Sequence, residues 1–430
     1  MKKNFYFPLG LIFVSLVVLH GIDAKSDVNR PCSPCEEIGC TPCDMTYDGE
    51  LPDPCEASCF GKRPFKLFRG GSRLNVGGYI EGTIRVNEHG AKSYYIDGEH
   101  VSGNGDVFGG GNGSTNFNLN QLWVFVEREM DASKGFDWGA RMDLCFGMDA
   151  PNMWKWHDRT LDYDWGSGDY GTAFNNLKMM FGYKKWSVDV GIIETNNGWE
   201  GNSTVDNFFM SGALVNQAMP SQHLGARANY EINDRLTLTG GWTNGFDNGG
   251  ARFNDSAFVG GFSFDLNERM NVTYAMVYGS MNDHRYSNGE SRYGDEFLGR
   301  GRGYSHTVDF LWNVTDRFYY MCEWVLTNYN FRPGGDKLHL RGYGINNYLV
   351  YTLNDKWEVG TRIEWFRDNG VSLEPSDYNE VSFGLNWMPF EKVKIRPEVR
   401  YDWVCGQARP FDGNTRKTQC SGGVSLFYIF

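Results

Sequence analysis

The sequence has little positive charge and no long apolar stretch after its N-terminus. Its 41 Lys and Arg residues are outnumbered by 53 Asp and Glu, which leaves a net charge of −12. Such a composition offers no basic face to a nucleic acid. Beyond the N-terminus, no window supplies the roughly 20 apolar residues that a membrane-spanning helix needs. We therefore expect neither a nucleic-acid partner nor a helical membrane span in the mature chain.

Histidine is scarce as well, with 8 residues in the chain, and catalytic motifs are missing. The sequence contains no Gly-x-Ser-x-Gly elbow and no HExxH motif. His223, His306 and His339 fall on predicted strands, where they read as ordinary lumen or interface residues. Asp162 and Asp164 form the best acidic cluster for a divalent cation, but no twelve-residue calcium loop surrounds them. We predict no enzyme activity, no cofactor and no metal site.

The N-terminus reads as an export signal. Lys2 and Lys3 precede a short apolar run at 9–19, and Ala24 offers a cleavage site, so residues 1–24 are interpreted as a signal peptide, with a signal anchor as the alternative. Residues 25–64 form a cysteine- and proline-rich linker, which we expect in the periplasm. Export favours disulfides or a flexible linker there over a metal site, and a contact with an envelope partner stays open. The cysteines of this linker are Cys32, Cys35, Cys40, Cys43, Cys55 and Cys59.

From residue 65 onward, glycine and aromatic residues dominate. The chain contains 54 Gly and 16% aromatic residues, which suit strands and turns better than helices. Tight turns share a polar residue, an acid and a base, as at 233–235, 267–269, 315–317 and 354–356. Longer connections rich in Gly, Asn and Asp alternate with them. The pattern predicts sixteen strands (fourteen to eighteen), near residues 73–86, 116–129, 136–148, 173–183, 186–195, 222–231, 236–244, 257–266, 270–280, 304–314, 318–330, 339–353, 357–367, 380–389, 393–404 and 419–430.

These strands alternate between an apolar and a polar face. Along residues 393–403, apolar and aromatic side chains on one face oppose charged ones on the other. A soluble sandwich would also alternate. Strictly alternating short and long connections, aromatics beside the tight turns and the terminal strand ending at Phe430 favour a membrane barrel instead. We predict an all-β, antiparallel, up-and-down transmembrane β-barrel at 65–430, with short periplasmic turns and long external loops.

The segment 388–403, with the sequence MPFEKVKIRPEVRYDW, carries a family resemblance. Together with the Asn-Asp-Arg turns and Phe430, it resembles the family described as putative beta-barrel porin-2, OmpL-like. The resemblance covers residues 65–430 and implies an integral barrel in the outer membrane of a Gram-negative-type bacterium, with channel activity. It implies no catalytic residues, and it leaves open a homotrimer and a plugging role for residues 25–64.

Passive diffusion of small hydrophilic solutes or ions is the function that we predict first. A sixteen-stranded barrel is wide enough for an aqueous channel in contact with outer-membrane lipid. Charged side chains that point into the lumen would set the selectivity of the channel. The alternative is that these side chains only form ion pairs with one another across neighbouring strands. The acidic net charge mildly favours cations. The candidate pore-lining residues are Arg141, Asp143, Arg362, Glu364, Arg396, Glu398, Arg400 and Asp402.

Other functions remain as alternatives. One is a non-conducting structural or adhesive surface barrel, which would differ by a blocked lumen. Another is an outer-membrane barrel enzyme, and a third is a soluble carbohydrate-acting β-protein, which would be extracted without detergent. In the exported chain, Cys405 and Cys420 bracket the last long loop at the open end of a hairpin, which predicts a disulfide between them if their Cα atoms lie within about 7 Å.

Overall fold

The computed structural model describes residues 73–89, 117–153, 170–245, 256–281, 301–331, 338–371, 373–412 and 415–430, with short pieces at 65–66, 94–96, 99–101 and 166–167. The signal peptide, the whole cysteine-rich linker, Asp162 and Asp164 lie outside these residues. The domain boundaries at 24 and 64 therefore stay predictions. None of the described helices is long and apolar enough to cross a membrane.

Sixteen strands of the described chain form one antiparallel sheet. They are β1 (Leu74–Asn87), β2 (Phe117–Arg128), β3 (Phe136–Gly147), β4 (Tyr170–Tyr183), β5 (Trp186–Glu194), β6 (Gln222–Asn233), β7 (Leu236–Thr243), β8 (Ala257–Asn267), β9 (Met270–Met281), β10 (Gly301–Thr315), β11 (Phe318–Phe331), β12 (Leu338–Asn354), β13 (Trp357–Asp368), β14 (Ser376–Phe390), β15 (Val393–Gly406) and β16 (Thr418–Ile429). The described chain also contains a short helix, α1 (Ala150–Met153), and a 3-10 helix at Leu214–Ala218.

The sheet closes on itself. Each strand pairs with its neighbour in sequence, and β1 pairs with β16 as well as with β2, beginning at Tyr79 opposite Ile429. Beside this seam, the Phe430 N–H donates to the carbonyl of Gly78 at 2.9 Å, and the Gly78 N–H donates back at 3.0 Å. Closure pairs each of the sixteen described wall strands on both sides, so the wall itself has no open edge. The predicted sixteen-stranded antiparallel barrel is confirmed.

The tight turns owe their shape to their first polar residue. The side-chain oxygen of Asn233 accepts a hydrogen bond from the backbone N–H two residues on, at 2.9 Å. Asn267, Thr315 and Asn354 make the same bond at 2.8, 3.2 and 3.0 Å. This local bond fixes the chain reversal without help from the rest of the fold. It explains why the turns could be located from the sequence alone.

Some strand ends beside the long connections extend beyond the predicted ones. The strand β14 begins at Ser376, four residues before the predicted start, because Asp377 continues the ladder opposite Arg367 of β13. The strand β10 likewise begins at Gly301. These polar and glycine-rich ends resemble loop in composition, and only the neighbouring strand shows that they are paired.

The outer face of the wall is apolar and exposed. Large side chains at alternate positions carry it, including Ile84, Trp138, Phe181, Trp242 and Phe383. The opposite face is polar and in several places buried, with Glu81 and Arg396 as examples at 1% and 0% exposure. An apolar exterior around a polar interior is the arrangement that lipid requires of a spanning barrel.

Candidate functional site: the lumen and its inward loop

One long connection does not stay outside the wall. Residues 195–221, which join β5 to β6 and which we call the inward loop, were expected among the external connections as 196–220. The loop instead contacts inner-face residues of β1, β11, β13 and β15 at once. These inner-face residues belong to the continuous part of the wall from β11 through β16 to β1, so a loop that starts at β5 and reaches all of them lies inside the lumen.

Two carboxylates of the wall hold the inward loop by its backbone. Glu364 on β13 accepts hydrogen bonds from the N–H groups of Leu214 and Val215, at 2.6 and 2.8 Å. Glu398 on β15 accepts from the N–H groups of residues 210–211, at 2.6 and 2.9 Å. Bonds in which the acceptor is ionised are stronger than neutral ones. Each carboxylate thus anchors two consecutive peptide groups of the loop.

Arg362 on β13 forms the centre of a buried ion-pair network. Its guanidinium lies 2.6 Å from Glu380 on β14 and 2.8 Å from Glu200 of the inward loop. The same group donates to the backbone carbonyl of Ser211 at 2.8 Å. The Arg362 side chain is fully buried. A buried cation needs such a complete set of partners, because an unpaired charge away from water is costly.

Two more arginines bind the loop from β15. Arg396 donates to the carbonyls of Thr204 and Asn207, at 2.7 and 2.8 Å, and lies 3.0 Å from Glu81 of β1. This ion pair bridges β15 and β1 across the intervening β16, which supplies a second donor to Glu81 from Ser425. The wall and the loop are therefore joined by arginines that contact carboxylates and carbonyls at once.

Arg400 completes the set. It lies 2.7 Å from Asp402 and 2.9 Å from Glu380, and it donates to the carbonyl of Gly212 at 2.8 Å. Glu380 is thus shared between Arg362 and Arg400 on the two strands that flank it. Two cations around one carboxylate, with loop carbonyls filling the remaining donors, keep the cluster satisfied without water.

Apolar side chains of the inward loop pack into the same side of the lumen. Phe208 and Phe209 pack with Met321, Tyr348 and the neighbouring wall. Leu214 and Val215, in the 3-10 helix, pack with Phe366 on β13. The inner wall opposite Phe208 is glycine: a Cβ on Gly360 would lie only 2.6 Å from the Phe208 ring. Hydrophobic burial therefore supports the polar anchors.

The sequence candidates on β3 lie away from this cluster. Arg141 contacts the buried Asp143 at 2.8 Å and Glu127 at 3.3 Å, while about a third of its side chain stays exposed. The Trp123 indole donates to Asp143 at 3.3 Å. The structure thus separates the eight candidates into two groups. Six of them, on β13 and β15, contact the inward loop or one another: Arg362, Glu364, Arg396, Glu398, Arg400 and Asp402.

An open cavity of about 320 Å³ lies on the other side of the inward loop, and we call it the passage. Residues 195–199 of the loop line one side of it. Short hydroxyl and amide side chains from β7, β8 and β9 line the other side. Two charged residues also border it, Arg227 on β6 and Asp309 on β10. The hydroxyl and amide residues are Thr239, Thr243, Ser263, Asn271 and Thr273.

Sequence reasoning missed Arg227, Asp309 and the inward loop. Arg227 lies 3.2 Å from Asp189, which Lys178 also contacts at 3.1 Å, so two cations share one carboxylate on this side of the passage. The run FFM at 208–210, followed by LV at 214–215, was the available signal. So many apolar residues are unusual in a connection that remains in water.

Asp149 is a buried acid just beyond the end of β3. Its carboxylate accepts hydrogen bonds from the side-chain amides of Asn120 at 3.2 Å and Gln121 at 3.0 Å. Burial raises the pKa of Asp149 to about 7, and the nearby charge of Glu81 adds to the rise. Desolvation penalises the charged form of a carboxyl group, and a like charge adds to the penalty. This group therefore changes charge near neutral pH.

The cysteines Cys405 and Cys420 are exposed free thiols in the structure, rather than the predicted disulfide. Cys420 pairs with Tyr401, and Cys405 lies four residues further along β15, opposite Asp377 of β14. At about 3.4 Å per residue, this register separates the two cysteines by well over the Cα distance that a disulfide spans. In the hairpin of β15 and β16, Cys420 lies opposite Tyr401 and not opposite Cys405, so the predicted alignment of the two cysteines is wrong.

The histidines that were considered take separate positions. His223 lies 3.2 Å from the hydroxyl of Thr195 at the passage, and His306 pairs with Tyr274 on the outer face at 2.8 Å. His339 contacts Asn330. Within the described ranges, no three His, Cys, Asp or Glu residues cluster closely enough to hold a metal ion.

A closed sixteen-stranded wall, an apolar exterior and a loop that narrows the lumen define a porin-type barrel. The chain belongs to the family described as putative beta-barrel porin-2, OmpL-like, whose model matches residues 73–430. This membership, together with the barrel fold, supports an integral outer-membrane protein with a porin role. No curated protein matches the chain.

Solved outer-membrane barrels share the fold. The outer membrane channel DcaP of Acinetobacter baumannii superimposes with a TM-score of 0.54 at 11% identity, covering 83% of this chain and 97% of that one. An anion-selective porin from Comamonas acidovorans gives 0.56 at 8% identity, covering 83% and 99%. OprB of Pseudomonas putida, in a high-pH structure, gives 0.50 at 12% identity, covering 83% and 94%. At these identities the likeness shows the fold alone.

Proposed function

We propose that the protein is a porin through which small hydrophilic solutes or ions diffuse passively. The observation that carries the proposal is the passage, a cavity of about 320 Å³ between the inward loop and the wall of β6 to β10. Its lining also contains apolar residues such as Val259 and Leu311, and its hydroxyl and amide groups can replace part of the hydration shell of a polar solute as it moves through. Neutral groups of this kind do not hold a solute tightly, which suits diffusion.

Charge is distributed unevenly across the passage. Arg227, with Lys178 behind it, lies on the side of β4 to β6, and Asp309 lies on β10. Opposite charges that face each other across a narrow opening create a transverse field, which sorts solutes by charge and size. The predicted selectivity mechanism is therefore retained in this proposal, but with residues other than those that the sequence suggested.

The eight predicted residues take two roles in this proposal. Arg141 and Asp143 act on the lumen directly, because Arg141 is partly exposed. The other six act through the inward loop, whose position sets the width of the passage. For these six residues, the observed contacts support the alternative to pore lining: the charged side chains pair with one another across neighbouring strands, and they also anchor the inward loop.

The test is the single-channel conductance of the mature chain, folded in detergent and inserted into a planar bilayer. We expect discrete, reproducible current steps. The salt-gradient reversal potential then reports selectivity. Insertion should be confirmed independently, by resistance of the bilayer-bound protein to alkaline extraction. A silent bilayer with confirmed insertion would contradict the proposal.

A second candidate is a non-conducting structural barrel. The observation that favours it is the dense contact of the inward loop with half of the wall, which closes that side of the lumen. The same bilayer experiment separates the two functions, since a blocked lumen gives no steps. Deleting loop residues 206–212 should then open a silent barrel, whereas a conducting one should only gain current.

The surroundings of the barrel belong to the same proposal. The exposed apolar residues of the outer face support contact with outer-membrane lipid. We retain the homotrimer and an envelope partner for residues 25–64 as proposals. Light scattering of the detergent-folded protein with and without residues 25–64 tests the first. Cross-linking in whole cells through the cysteines of that linker tests the second.

A further inference from the structure

Asp309 and Glu323 form a pair of neighbouring buried carboxyl groups on the inner wall of the lumen. They lie directly opposite each other on β10 and β11. Asp309 is 7% exposed and Glu323 is fully buried. Elsewhere on the inner wall, Glu81, Glu380 and Asp402 each have an arginine within 3.0 Å. Among the described residues, neither Asp309 nor Glu323 forms an ion pair with a basic side chain.

The hydrogen bonds of the pair come only from neutral groups. Glu323 accepts from the backbone N–H of Trp199 at 3.0 Å and from the amide of Asn346 at 3.3 Å. In the described part of the chain, the Oδ1 atom of Asp309 is buried and has no hydrogen-bond partner. Two carboxyl groups side by side without a cation are costly. A cation bound from outside the chain would therefore stabilise the ionised form of this pair.

An aromatic ring lies at the same place. Trp199 of the inward loop lines the passage together with Asp309, and 37% of its surface is exposed. Its backbone bond to Glu323 fixes it beside the acidic pair. The face of an indole attracts cations, most of all those that are weakly hydrated, such as alkylated ammonium groups. Carboxylates with an aromatic face form a set that suits an organic cation better than an anion or a neutral sugar.

We propose that Asp309 and Trp199 form a binding subsite on the passage for a small organic monocation of the ammonium class, with the buried carboxyl group of Glu323 adding its charge from behind Asp309. The subsite rests on the proposed function only in that a permeating cation would reach it through the passage. The cation supplies the charge that the pair lacks, and the indole replaces part of its hydration. Arg227 faces the same cavity but is ion-paired with Asp189, so it does not neutralise the acids.

The probe is tetramethylammonium chloride, used on the full folded chain. Its binding is measured by the shift in thermal unfolding temperature against equal concentrations of sodium chloride, which needs no conduction. We expect a saturable stabilisation of the wild type. Asp309→Asn, which is isosteric, should weaken the apparent affinity about tenfold, the effect of removing one close charge. Asp316→Asn, in an exposed turn at the end of β10, removes the same charge elsewhere and should leave the affinity unchanged.

A second pair of variants tests the contribution of the Trp199 ring to cation binding separately from that of the carboxylate charge. Trp199→Phe keeps an aromatic face and should retain most of the affinity, whereas Trp199→Leu should lose it. In the planar bilayer, tetramethylammonium should also reduce the potassium current of the wild type and not that of Asp309→Asn. If the protein conducts in the bilayer but tetramethylammonium does not shift its unfolding temperature, the proposed subsite is wrong and the proposed porin function still stands.

The binding subsite can also be supported when the porin function fails. A silent bilayer, together with stabilisation that Asp309→Asn removes, would support the subsite and contradict the porin function. Equal stabilisation of wild type and Asp309→Asn would overturn the subsite. It would indicate that the pair shares a proton rather than binding a cation.

Discussion

The two sides of the lumen are built on opposite principles. On the side of β13 to β15, the inner wall carries charged residues such as Arg362 and Glu398, which are buried against the inward loop. On the side of β7 to β9, the inner wall carries Thr239, Ser263 and other small neutral residues that border the open passage. The charged half is therefore the closed half, and the neutral half is the open one.

This difference shows that conspicuous charge in the sequence is a poor guide to where the lumen is open. A charged side chain in a narrow lumen is stabilised by partners, and the partners fill the space around it. Small hydroxyl residues need no such partners and leave the space free. In this barrel the strongest electrostatics position the inward loop, and the loop in turn defines the passage.

The largest effect should come from removing a cation of the closed side. Arg362→Met leaves the buried Glu200 without its arginine and leaves Glu380 with Arg400 alone, which costs about 3–5 kcal/mol of unfolding free energy. Thermal or denaturant unfolding in detergent measures it. Arg269→Met is the matched control, because it breaks an exposed pair with Asp316, worth about 1 kcal/mol or less. Equal losses in both variants would contradict the contrast between the two sides.

The next effect should come from the loop anchors. Replacing Glu364 and Glu398 together by Gln keeps their shape but removes the charge that four backbone N–H groups of the loop contact. Hydrogen bonds to charged groups are worth about 1.5–3 kcal/mol each, so stability should fall by several kcal/mol. We also expect larger and noisier single-channel currents as the loop loosens. Glu268→Gln, in an exposed turn, is the control and should change neither the stability nor the single-channel current. If the double variant conducts with the same current and noise as the wild type, the two carboxylates do not anchor the loop.

A smaller effect should follow from Asp149. Because folding raises the pKa of this carboxyl group to about 7, its contribution is fully present below the pKa of the unfolded chain and is lost as pH rises to about 7. Between about pH 4 and 7, the wild type should lose up to about 1.4 kcal/mol per pH unit relative to Asp149→Asn. Unfolding at a series of pH values measures this. Asp234→Asn, in an exposed turn, should follow the wild type, and parallel curves for wild type and Asp149→Asn would contradict the prediction.

The smallest effect on stability should come from the open side. Thr239→Trp places a large ring in the passage without breaking any ion pair, so unfolding should be nearly unchanged while conductance falls by a factor of about two. Leu238→Trp, one residue away on the lipid-facing side, is the control and should conduct like the wild type. If Thr239→Trp conducts normally, solutes take another route through the lumen.

The parts of the fold that depend on local chemistry were predictable. The turn at Asn233 makes its defining bond within three residues, and the alternation along β15 reflects a two-residue repeat that any strand shows. The sixteen strands and the polar inner face follow from these two signals. Family resemblance then pointed to the channel class.

The position of the inward loop was not predictable in the same way. Its sequence resembles the external connections in Gly, Asn and Ser content, and its anchors, such as Glu364 and Glu398, lie 150 or more residues away. Whether Arg396 faces water or a loop carbonyl depends on this long-range contact. The offset of Cys405 from Cys420 depends on strand register, which alternation alone does not determine.

The inward loop also bears on the order in which the barrel assembles. It is synthesised before β13 and β15, yet it packs against them across separations of 150 and 188 residues. The ion pair between Glu81 and Arg396 spans 315 residues beside the closing seam. Contacts so distant in sequence form slowly. We therefore expect the wall to close around a loop that is already in place, so that docking of the loop governs the rate of barrel formation.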